Sequence, residues 1–129
     1  MREVKFRGLD LMTGEWVYGK LLNSNFSSFI VMMVNTIGGD GISSLVYHQV
    51  DQESIGQYTG LIDIKGNQIY NADLIKDDEN FLWEVINKQG AFYAKCDDLL
   101  AEQLLSSVNL FGTDIGNVYE HPELIEESL

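Results

Sequence analysis

Residues 56–76 read GQYTGLIDIKGNQIYNADLIK, and the fold of the chain turns on how this stretch is understood. A tyrosine-bearing strand around Tyr58 runs into Lys65-Gly66-Asn67. That triplet is a tight turn, because its glycine reaches positive φ without a side-chain clash. A second tyrosine, Tyr70, and an Asp-led apolar strand, Asp73 to Lys76, follow. Short strands punctuated by turn residues predict a mostly β protein of α+β class.

Toward the N-terminus the same grammar repeats. Val4 and Phe6 alternate with Glu3, Lys5 and Arg7, the period of a half-buried strand. Thr13-Gly14 turns the chain, and Glu15 to Gly19 returns as a second strand with Trp16 and Tyr18 on one face. Arg2, Lys5 and Arg7 read as a solvated strand face rather than a basic patch. Phe29 to Val34 is apolar on both faces, so either this domain's core or another subunit must cover it. The glycine cluster Gly38-Gly39-Asp40-Gly41 precedes another strand, Ser43 to Val50, so it reads as a hairpin loop rather than a phosphate cradle, which requires a following helix. Asp51 to Ser54 fits one helical turn.

Toward the C-terminus, Asp77 to Asn80 is a charged turn, and Phe81 to Ile86 and Ala91 to Ala94 form a hairpin across Asn87-Lys88-Gln89-Gly90. Leu100, Leu104 and Val108 share one helical face behind Asp97 and Asp98, which predicts a helix over 97–108. A strand from Ile115 to Glu120 and a short helix from Glu123 to Glu127, entered through Pro122, are expected to close the chain.

The 129 residues carry a net charge of −12, and it is uneven: residues 1–72 hold 5 basic and 7 acidic groups, residues 73–129 hold 3 and 13. Such a balance repels nucleic acid, whose binding depends on Lys and Arg displacing counterions. An acidic surface is ordinarily a solubility device. An alternative is a DNA mimic that occupies a host enzyme's DNA-binding site. No apolar run is long enough to span a membrane and the N-terminus lacks an export signal, so a cytoplasmic location is expected.

Chemistry is sparse. Cys96 stands alone, which excludes an internal disulfide; beside Lys95 it would be reactive only if exposed. His48 lies in a strand and His121 beside a helix start, where capping and surface roles are ordinary. Asp63, Asn67 and Asp73 do not match a calcium-loop spacing. Adjacent acids (Asp77/Asp78, Asp97/Asp98, Glu126/Glu127) are not thereby a catalytic pair. No catalytic, cofactor-binding or metal-ligating residue is assigned, and no enzymatic activity is expected.

Three blocks together resemble the YopX family of small phage and prophage proteins. They are Met1 to Arg7 with Gly14 to Gly19, Val50-Asp51 through Ile55 to Leu61 and on to Gly66 to Tyr70, and Ile115 to Leu124. Three positions depart from the family pattern: Asn71-Ala72-Asp73 stands where Glu-Gly-Asp is usual, and His121 stands where Asn is common. The resemblance implies a phage or prophage origin, no established activity and no catalytic residues. It also implies an N-terminal β part, 1–55, that forms oligomers, a large ring among them, and an SH3-like barrel-type part, 56–129, containing helix 97–108. The expected partners are a homo-oligomer and a host or phage protein. On this reading residues 56–76 are the joint between the two parts, with Tyr58 and Tyr70 packed inside it.

Overall fold

The computed structural model describes residues 4–35 and 43–126. Within them lie eleven strands, three 3-10 turns and one short helix. The glycine cluster 38–41 and the end of the expected last helix fall outside the described residues. The chain forms two compact units that divide between Gln57 and Tyr58.

In the first unit, β1 (Phe6–Leu9), β2 (Trp16–Asn23), β3 (Ser28–Asn35) and β4 (Ser43–Val50) form an antiparallel meander in the order β4-β3-β2-β1. The first residues of β5 (Gly56–Ile62) pair with β1, Phe6 facing Gln57 and Arg7 facing Gly56. The meander curls until the ends of β1 and β4 meet. Asp10 bridges Val50, Leu11 N–H donates to Gln49 O at 3.0 Å, and Asp51 N–H donates to Leu9 O at 3.0 Å. Two glycines permit the curl by close approach rather than by a special φ. A Cβ on Gly8 would lie 2.8 Å from Val50 Cβ, and one on Gly19 would lie 2.3 Å from the backbone oxygen of Val31. Ile30 and Val50 are buried on the inner side.

The second unit holds a five-stranded antiparallel sheet in the order β10-β9-β8-β7-β11, made of β7 (Asp73–Asp77), β8 (Leu82–Lys88), β9 (Ala91–Cys96), β10 (Ala101–Leu104) and β11 (Gly112–Asn117). Beside it, the later part of β5 pairs with β6 (Gln68–Tyr70). Its core gathers Ile69, Ile75, Trp83, Val85, Phe92, Ala94, Cys96, Leu105 and Val108. Tyr58 and Tyr70 are buried and face each other across the ladder, ring centroids 5.4 Å apart. The expected barrel does not close: β10 and β11 are the two ends of this sheet, and no pairing joins them among the described residues.

The helix expected over 97–108 is not formed. Asp97 to Leu100 make a turn closed by Leu100 N–H to Asp97 O at 3.1 Å, with Leu100 at φ +48°. Ala101 to Leu104 then return along β9, Ala101 facing Cys96 and Leu104 facing Tyr93. The supposed apolar stripe is mostly wet. Leu100 is 95% exposed and Leu104 50%, whereas Leu105 is fully buried and leads the 3-10 turns at Leu105–Ser107 and Asn109–Phe111. A twelve-residue helix has marginal intrinsic stability. Hydrogen-bonding the open edge of β9 while anchoring Leu105 and Val108 in the core outweighs it. The last strand likewise starts three residues before the expected Ile115, with a bulge between Asp114 and Gly116, and Asn117 Oδ1 accepts Glu120 N–H at 2.8 Å to end it. The closing helix is α1 (Pro122–Glu126).

Candidate interaction surfaces

The residues that could have carried chemistry are mostly committed to the backbone. Asp63, 1% exposed, accepts four hydrogen bonds: from Lys65 N–H (2.9 Å) and Asn67 N–H (2.8 Å) at Oδ1, and from Asn67 Nδ2 (3.0 Å) and Asp114 N–H (2.8 Å) at Oδ2. Burial pushes its carboxyl up, but these donors outweigh burial and hold it below the ordinary carboxylate value. It therefore ties the 63–67 turn to β11 rather than awaiting a cation. Asp73 Oδ2 accepts Tyr70 N–H at 2.8 Å across the turn at Ala72. Ala72 itself sits at φ +73°, so the chain takes a left-handed turn here although alanine, unlike glycine, disfavours it. Among the described residues no group of three His, Cys, Asp or Glu is placed to hold a metal ion.

His48 pairs with Asp10, Nδ1 to Oδ2 at 2.7 Å, and Asp10 Oδ1 also accepts Met12 N–H at 2.7 Å. The backbone bond from Met12 and then the His48 hydrogen bond hold Asp10 below its ordinary value. The pair flanks the Asp10–Val50 bridge and fastens the curl of the first unit. His121 Nδ1 accepts Asn117 N–H at 3.3 Å, and a Cβ on Gly116 would meet its ring at 2.4 Å, which makes His121 a packed corner residue. Cys96 is 1% exposed, so its thiol is core rather than reagent.

What the first unit does present is an apolar sheet face. Directly paired residues share a face, and the registers Arg7–Tyr18, Lys20–Val31, Leu22–Phe29, Val31–Tyr47 and Met33–Leu45 define the outer side. There Tyr18 is 44% exposed, Leu22 47%, Met33 71%, Leu45 57% and Tyr47 54%. Arg7 is buried at one end of this side, its guanidinium 4.9 Å above the Trp16 ring. A groove of about 400 Å³ runs along it, lined by Val4, Tyr18, Val31, Met33 and Leu45 with Lys5 and Lys20 beside them. Within Phe29 to Val34, Ile30 is buried on one side and Met33 is open on the other, while Val34 at the far end of the Ile30 side is itself 45% exposed. Sequence reading flagged that strand but missed its partners. The alternation of Leu45 and Tyr47 with Ser44, Val46 and His48 was the available signal.

The chain matches the family model described as YopX protein over residues 5–126. The solved structure of protein EF1440 from Enterococcus faecalis is similar, with 25% sequence identity and a TM-score of 0.62 over 97% of this chain and 99% of that one. No curated protein sequence matches the chain. No helix among the described residues is long and apolar enough to cross a membrane.

Proposed function

The chain belongs to the YopX family, and from that premise we propose that it is a non-enzymatic phage or prophage accessory protein that self-associates through the outer face of its first unit. The observation that carries this reading is the exposed apolar face Tyr18, Leu22, Met33, Leu45 and Tyr47. Such a face loses free energy to water at about 25 cal/mol per Å² until something covers it. The occupant is a second copy. In a chain of net charge −12, the groove lining among the described residues holds no carboxylate and its only charges are Lys5 and Lys20 at its border, so two copies meet on its apolar middle without the acid–acid repulsion of the rest of the surface. The adjoining edge also favours self-pairing. From Ser43 to His48, β4 has no outer strand partner among the described residues and contains neither proline nor lysine to blunt it. An oligomer-forming N-terminal part is what the family resemblance implies.

The DNA-mimic reading draws less support. Asp63, Asp73 and Asp77 accept backbone N–H groups instead of facing outward as phosphate surrogates. Light scattering at micromolar concentration tests self-association, and the mass of a single chain would refute it. Met33→Lys and Leu45→Lys, which face each other across β3 and β4, are expected to reduce the assembly to monomers with the fold intact. An unchanged oligomer in both variants would move the interface elsewhere.

A further inference from the structure

The second unit carries a different groove, of about 300 Å³, between the β7–β8 turn and the two 3-10 turns. Its lining combines the acids Asp77, Asp78 and Glu79 with the apolar Val108 and Phe111, and Trp83, Gln103 and Ser107 complete it. We infer that this groove docks a lysine or arginine side chain from a basic segment of a partner protein.

Two independent features carry the inference. The first is charge. Asp77 is spent inside the turn, its Oδ1 accepting Glu79 N–H at 2.9 Å and Phe81 N–H at 2.8 Å, its Oδ2 accepting Trp83 Nε1–H at 2.9 Å. Asp78 and Glu79 are exposed, their side chains take no hydrogen bond or ion pair among the described residues, and no lysine or arginine lines the groove. The second is apolar surface. Phe111 leaves 61% of itself exposed in the same groove as these acids, although Val108 nearby is buried in the core. Asp78 N–H donates to Phe111 O at 3.1 Å, which ties the acidic turn to the Phe111 backbone.

A cation on an aliphatic stem satisfies both features at once. The stem and the charge lie on the ring, and the carboxylates take the donors. An anionic ligand would be repelled, and a neutral apolar segment would strip water from Asp78 and Glu79 without replacing it. The chain's net −12 steers basic partners toward the site. The inference uses only second-unit residues, so it stands or falls separately from the self-association of the first.

Calorimetric titration at physiological salt with a blocked peptide of three Arg-Gly repeats tests it. The same peptide with citrulline for arginine, isosteric but uncharged, is the control. The arginine peptide is expected to bind, and the citrulline peptide at least tenfold more weakly. Asp78→Asn with Glu79→Gln is expected to weaken binding at least fivefold, and Phe111→Ala at least threefold, with the melting temperatures of these exposed-site variants showing that the fold persists. Glu53→Gln, in the first unit, is expected to change affinity less than twofold. Three outcomes would overturn the inference. They are no binding of the arginine peptide at millimolar concentration, equal losses from the groove and Glu53 variants (diffuse attraction), and an undiminished affinity in Phe111→Ala.

Discussion

Removing the Asp63 carboxylate should unfold the second unit's central turn more than any surface change of equal size. In Asp63→Ala four donors lose their acceptor at once. The Lys65 N–H and the Asn67 side-chain amide belong to exposed residues and can turn to water. The Asn67 and Asp114 N–H groups, held against a residue only 1% exposed, are poorly placed to do so. At about 1–3 kcal/mol for each stranded donor, with part of the bond to the charged acceptor added, the loss is about 3–5 kcal/mol. For a domain of this size that lowers the melting temperature by about 10–20 °C. Asp63→Asn separates charge from shape, since its amide NH2 would face donors instead of accepting from them, and it should fall most of the way.

The pH dependence has a definite sign. Because the folded carboxyl is held below its ordinary value of 3.8, its stabilisation is fully present above that value and is lost as the pH falls through the lower, folded value. Calorimetric melting of wild type and Asp63→Ala should therefore show a constant gap from pH 8 to about 5 that narrows below about pH 4. A shift under 3 °C at pH 7, or a gap undiminished at pH 3, would refute the carboxylate as the anchor of this turn.

Two further substitutions probe local strain and burial. Ala72→Gly removes a left-handed cost of about 1–2 kcal/mol and adds back about 0.4–1 kcal/mol of unfolded-chain entropy, so it should raise stability by about 0.5–1 kcal/mol in denaturant titration. A loss on adding glycine would show that the Ala72 methyl packs productively. Glu84 is held above its ordinary value chiefly by burial, with Asp97 adding to the shift and Lys95 opposing it. Its ionisation thus costs stability above the folded value, and the cost disappears as the pH falls below the ordinary one. Glu84→Gln should be more stable than wild type at pH 7 and lose that advantage toward pH 4, and an advantage independent of pH would point to packing instead.

Much of the fold is decided by local sequence. The alternation in β1 to β4, the glycine turn at Gly66 and the Asn87–Gly90 hairpin each specify their own backbone. In those stretches side-chain period and turn chemistry agree and a strand forms at each, although β1 begins only at Phe6 and β2 runs on to Asn23 beyond the expected Gly19. The family motifs at 56–70 also contain Tyr58 and Tyr70, but the turn alone does not pair them: the Ile62–Gln68 register would set Tyr70 opposite Gly60, and a register shift between Tyr58 and Ile62, where Gly60 sits at φ +85°, brings the two tyrosines face to face.

Tertiary context decided what local period left degenerate. Leu100, Leu104 and Val108 fit a helical stripe, but Ala101 to Leu104 became a strand because β9 had an open edge to satisfy and Leu105 a core to fill. Both are contacts made across the fold, invisible at a spacing of four residues. Ala72 kept a left-handed turn that its own side chain disfavours because Tyr70, Val85 and Val118 all bond across that corner. The interaction surfaces are legible only in three dimensions for the same reason. Met33 meets Leu45 through strand register, and Phe111 meets Asp78 through a backbone hydrogen bond over thirty residues of chain. Composition says that this chain has apolar and acidic residues to spare; which of them water still touches is settled by which strands pair.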